Sequence, residues 1–125
     1  MEDKEEVMTT NEYLMQYCDG FEEAESTYAK AHLFLRSNMY YLRQLKCPKP
    51  WMVELEWNGI LMEDEAEEFG WHPSCKVRLY EMMRRLYTRT KMEDIPRFIS
   101  VVRPFNSKVA DILQERFDAV SQLAR

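Results

Sequence analysis

The stretch ILMEDEAEEFGWHPSCKVRLYEMMRRLYTRT, residues 60–90, sorts its charge into two blocks. Glu63, Asp64, Glu65, Glu67 and Glu68 crowd its first third, whereas Lys76, Arg78, Arg84, Arg85 and Arg89, with Lys91 just beyond, stand against Glu81 alone. Each block also has helical periodicity. Val77 or Leu79, Met82 or Met83, and Leu86 fall on one side of an amphipathic helix of about four turns, with the arginines on the other. The acids upstream suit the positive N-terminal end of a brief helix, in which Ala66 and Phe69 lie three apart and Gly70 supplies a stop. WHPS then links two short helices of opposite charge.

Upstream, Leu35, Met39, Leu42 and Leu45 recur at i, i+4, i+7 and i+10, and Ala31 and Phe34 extend the stripe, so a long first core helix is expected from about Ser26. CPKP ends it, because proline disfavours the αR conformation in the residue before it. Pro50 suits the first turn of a short second helix, PWMVELEWNG, which Asn58-Gly59 can close. Downstream, Ile95, Phe98, Ile99 and Val102 mark another helix. Thr90 and Glu93 are spaced like a capping box at its start, and a start at Asp94 would seat Pro96 better. NSKVADILQERFDAVSQLAR closes the chain with a stripe of Val109, Ile112, Leu113, Phe117 and Val120, capped by Asn106 or Ser107. Before all of these, Tyr13, Leu14, Tyr17 and Phe21 suggest a short accessory helix with Asp19-Gly20 as its stop, and residues 1 to about 10 read as a solvated tail.

Composition agrees with helices. The 125 residues include only three glycines and five prolines, and 46% hydrophobic with 13% aromatic content is enough for one core. The expected fold class is all-α, a six-helix antiparallel bundle with a short extra N-terminal helix. No apolar run is long enough to span a membrane, and the acidic MEDKEEVMTT is unlike a signal peptide. Cys18, Cys47 and Cys75 are odd in number and widely spaced, which fits reduced thiols in the cytoplasm.

Net charge is -5, which argues against a phosphate backbone as the main partner. The average conceals a division: residues 1–25 carry nine acids and one lysine, a balance of -8, so the rest sums to +3. His72 and Cys75 form an H-x-x-C pair, but His32, Cys18 and Cys47 are scattered and a structural zinc needs four ligands, so no metal or other cofactor is expected. The sequence has no G-x-S-x-G, no Gly-rich phosphate loop and no HExxH. Catalysis is not expected.

In this order the helices, a long first one, short second and third ones and a charged fourth, resemble a caspase-recruitment domain of the death-fold superfamily. LFLRSNMYYLRQL (33–45) is similar to that family's first helix, WNGIL with its acidic run and Phe69 to the passage from helix two to helix three, KVRLYEMMRRLYTRT to helix four, and IPRFISVV to helix five. The likeness covers about residues 28–123. It departs at Thr90, where many members have glycine, and at Met62, where Ser or Thr commonly caps helix three. The resemblance implies a domain over 27–125 behind an acidic extension over 1–26. It also implies homotypic binding to another such domain or to a second copy. The acidic face would comprise Glu63, Asp64, Glu65, Glu67 and Glu68, with Glu54 or Glu56 beside it. The basic face would draw on Arg36, Arg43, Lys46, Lys76, Arg78, Arg84 and Arg85. Unlike faces meet head to tail, and such contacts build open helical assemblies unless the rotation closes them. The expected role is recruitment of partners in apoptotic or innate-immune signalling. Two alternatives stay open: a nucleic-acid-binding helical domain using the Lys76 to Lys91 face, and the recruitment prodomain of a larger protease.

Overall fold

The computed structural model describes residues 8–45, 55, 59–70 and 74–123, and every regular element among them is a helix. Six helices have eight residues or more: α1 (Thr10–Glu23), α2 (Thr27–Ser37), α4 (Glu63–Gly70), α5 (Cys75–Arg89), α6 (Ile95–Val102) and α7 (Ser107–Leu123). One turn of helix, α3 (Met39–Leu42), follows α2 directly and passes into a 3-10 turn, Arg43–Leu45, and a second 3-10 turn, Met92–Asp94, leads into α6. The all-α bundle expected from the apolar periodicity is therefore present. The expected second helix, PWMVELEWNG, lies outside the described residues except for Leu55, which is helical and fully buried. Its closure is visible: Gly59 has φ +76°, and the Ile60 amide donates to the Leu55 carbonyl at 2.9 Å, the long-range bond of a Schellman motif.

The first core segment does not run straight. Asn38 is fully buried, and its own amide reaches back only to Leu35, while Tyr41 N and Leu42 N start the next turn from the Asn38 carbonyl. The side chain explains the break. Asn38 Nδ2 donates to the Phe34 carbonyl at 2.8 Å and to the Tyr13 hydroxyl at 3.2 Å, and Oδ1 accepts from Arg116 Nη1 at 2.8 Å. A buried amide satisfied on both ends holds α2, α1 and α7 together at one point.

Local sequence sets the other boundaries. Thr9 and Glu12 form a reciprocal capping box at α1, Ser26 accepts from Ala29 N at α2, Ser74 from Val77 N at α5, and Asn106 from Val109 N at α7. Two expected signals act differently. Gly20 does not stop α1, which continues to Glu23; a Cβ there would stand 2.9 Å from Leu33 Cδ2, so its absence lets α1 approach α2. Thr90 and Glu93 do not form a capping box: Thr90 Oγ1 is buried with no hydrogen-bond partner among the described residues, and Glu93 instead accepts from Thr27 Oγ1 at 2.6 Å. Of the two starts open for α6, the later one is found, with Pro96 in the first turn, where it has no helical N–H to lose.

The core runs through Phe34, Leu35 and Leu42, through Leu79, Met82, Met83 and Leu86 of α5, and through Phe98, Ile99, Val102, Val109 and Leu113. Fully buried aliphatic and aromatic side chains stabilise by roughly 1.5–3 kcal/mol each. Tyr13 and Phe21 of α1 belong to the same cluster, and α1 packs along α7 while α5 packs along α2. The N-terminal helix thus lies against the last helix of the bundle.

Candidate protein-docking faces

On α4, Glu63, Asp64, Glu67 and Glu68 are exposed, and Met62, 60% exposed, precedes them. Glu63 and Asp64 fall in the first turn, where the helix dipole offsets part of their mutual repulsion. Glu65 lies on the same helix, its side chain outside what the structure describes, as is true of Lys76 on α5. Lys46, Glu54, Glu56 and His72 lie outside the described residues.

On α5, the inward stripe of Leu79, Met82, Met83 and Leu86 turns Val77, Tyr80 and Arg84 outward, with Arg85 beside them. Tyr80 is 60% exposed and Val77 40%. Arg84 lies 6.0 Å from the Tyr80 ring centroid and 3.4 Å from Glu81. Tyr87, on the same side as Tyr80 and Arg84, is where α2 joins this surface. His32 stacks on the Tyr87 ring at 5.2 Å and 14°, and the Arg36 guanidinium stands over it at 5.9 Å. Burial pushes the Tyr87 phenol up from its ordinary value, and the positive charges of Arg36 and Arg43 draw it part of the way back. Arg36, Arg43 and Arg84 therefore lie on one continuous surface built from α2, its following turn and α5, with tyrosines between them.

Arg78 is a correction to the expected basic face. It is only 9% exposed, because it stands one turn before Met82 on the inward side of α5. Its charge therefore adds little to a presented surface.

The two charge blocks are also less independent than sorting suggests. Arg85 of α5 meets Glu68 of α4 at 3.6 Å, both side chains about half exposed. Such a pair is worth at most about 1 kcal/mol and leaves most of each block facing solvent.

Two groups of residues escaped the sequence reading. Val77 reads from the sequence as a core candidate, and the signal that marks Tyr80 and Tyr87 is their spacing, since Tyr80, Arg84 and Tyr87 at i, i+4 and i+7 share one helix face. Arg116 reads as an ordinary helix cation, and the signal that marks it is its place midway between Leu113 and Val120 of the core stripe. Among the described residues no group of three or more His, Cys, Asp or Glu is placed to hold a metal ion. No helix among them is long and apolar enough to cross a membrane. Comparison with protein-family models, with curated proteins and with solved structures finds no match to this chain.

Proposed function

We propose that this chain is a non-catalytic protein-interaction module of the caspase-recruitment type. The surface of Arg36, Arg43 and Arg84, with Tyr80 and Tyr87, docks onto an α4 surface of Glu63, Asp64, Glu67 and Glu68 belonging to a second copy or to a related domain. In a cell the module recruits or oligomerises cytoplasmic signalling partners in apoptosis or innate immunity. The observation that carries this is the composition of the α2/α5 surface: exposed tyrosine set among arginines from two helices. Tyrosine and arginine are enriched where interfaces concentrate their binding energy, and a solvated helix face needs neither. Opposite charge on α4 supplies orientation and on-rate, more than raw affinity.

The test is light scattering coupled to size-exclusion chromatography at low and high salt. Salt-sensitive assembly of the wild-type chain, lost in the double variant Arg84→Glu, Arg85→Glu with its helical circular dichroism intact, is the expected result. Assembly that survives the double reversal refutes the basic face. Salt-steep retention of the wild type on RNA or DNA, abolished by the same reversals, would favour the nucleic-acid alternative.

A further inference from the structure

Near the start of α2, the opposite end of that helix from Asn38, the C-terminal turn of α1, the first turn of α2, the Met92–Asp94 turn and the last turn of α7 line an open cavity of about 580 Å³. That volume lies within the range of small-ligand and peptide-anchor sites. Its floor is apolar: Phe21 and Val120 are almost fully buried, and Met92 and Leu123 are half-buried beside them. Its rim is acidic among the described residues, where Glu22, Glu25 and Glu93 line it against one cation, Lys30. Glu93 is held in place by the 2.6 Å bond from Thr27 Oγ1, whose oxygen also accepts from Met92 N at 2.8 Å. That hydrogen bond from Thr27 also holds the Glu93 carboxyl below its ordinary range, so the group is charged at neutral pH. Glu22 and Glu25 make no ion pair among the described residues.

Part of this rim has a local explanation, because Glu25 stands just before the N-cap Ser26 and favours the positive end of α2. That does not account for Glu22 and Glu93, which come from two other elements and face the same apolar hollow. We propose that this cavity is a docking site for a basic segment of a partner protein, an arginine or lysine flanked by an apolar residue. The aliphatic stem and apolar neighbour would lie on Phe21 and Val120, and the charged head would reach the Glu22, Glu25 and Glu93 rim, the way long cationic side chains cover apolar surface while keeping their charge wet. The match is one of charge and polarity together: among the described residues, three carboxylates against one lysine leave the rim net negative over an apolar base. The site depends on α1, which supplies Phe21 and Glu22, and is separate from the α2/α5 and α4 faces.

The probe is a fluorescein-labelled peptide of alternating leucine and arginine, followed by polarisation at low salt with the full chain. Wild type is expected to bind it, and to bind the version with serine for leucine at least about fivefold more weakly. Glu22→Gln combined with Glu93→Gln should weaken binding by a similar factor, as should Ser121→Trp, which fills the cavity without changing charge. If Ser121→Trp loses helical circular dichroism, the exposed Glu22→Lys decides instead. Arg84→Glu should leave peptide binding unchanged even if self-assembly is lost, so the two proposals fail separately. Equal binding of the serine peptide, spermidine competing as well as the peptide, or unaltered binding by the cavity variants would each overturn the site.

Discussion

Arg116 on α7 and Arg84 on α5 each set a guanidinium against tyrosine, and the bundle uses them in opposite ways. Arg116 is 1% exposed, held between the rings of Tyr13 at 4.4 Å and Tyr41 at 5.0 Å, with Nη1 donating to Asn38 Oδ1 and Nη2 to the Met8 carbonyl at 3.0 Å. Arg84 has 59% of its side chain in solvent and a looser approach to Tyr80. A buried guanidinium needs each of its donors met, because an unmet donor there costs its full desolvation. It therefore fixes whatever it touches, here α1, the α2 break and α7. An exposed one makes only local contacts, here with Glu81 and Tyr80 of its own helix, and leaves most of its side chain open to a partner. Position relative to the core, rather than residue type, separates an internal clamp from a contact residue.

The largest effect should come from removing the clamp. Arg116→Ala leaves the Asn38 and Met8 oxygens without that donor and opens a void between two tyrosines, which should cost about 3 kcal/mol or more in urea denaturation. Lysine should rescue little of this, since it lacks the planar fork that reaches two acceptors at once. A loss below that seen for ordinary surface substitutions would break the comparison.

Next in size is the pH response of Tyr13. Burial pushes its phenol up to about 12 from the usual value near 10, against the smaller downward pull of its bonds with Ser37 and Asn38 and of Arg116. A folded-state pKa raised above the unfolded one means that the stabilisation is complete below about pH 10 and is lost as pH rises toward 12. The loss amounts to about 2–3 kcal/mol at most, one pKa unit being worth about 1.4 kcal/mol. Tyr13→Phe should flatten this part of the stability profile relative to wild type and cost about 1–2 kcal/mol at neutral pH through the lost hydroxyl bonds. Equal alkaline slopes in the two chains would show that Tyr13 is not insulated from water.

On the exposed side of the comparison, stability and function should separate. Arg84→Glu with Arg85→Glu should change the unfolding free energy by no more than about 0.5 kcal/mol per site while removing salt-sensitive assembly. The smallest effect is expected at the Arg85 to Glu68 link. A double-mutant cycle with alanine at both positions should return about 0.2–0.5 kcal/mol, falling with added salt. A larger coupling would mean that α4 and α5 are tied together rather than presented separately.

Much of the fold was legible because it is locally encoded. Asn106, one of the two caps expected for the last helix, caps it as its residue type dictates, and Leu79, Met82, Met83 and Leu86 lie inward as a 3.6-residue period requires. The sorted acids of α4 and the exposed arginines 84 and 85 were equally plain, since charge along one helix is a property of adjacent sequence. The Thr90 and Glu93 spacing misled for a physical reason: Thr27, distant in the chain, offers Glu93 a better donor. Gly20 misled likewise, because its role is set by Leu33 across a helix pair and not by its own backbone preference.

The sequence by itself determined that this chain is helical, where most of its helices lie, and that its charge is divided between α4 and α5. Only the tertiary structure decided that Arg78 and Arg116 turn inward while Arg84 turns out, and that Tyr13 and Phe21 belong to the core. The reason is one of range. Periodicity and capping act over three or four residues, whereas a buried cation is tolerated only where partners arrive from far along the chain, and the bonds of Arg116 to Asn38 and Met8 span 78 and 108 residues.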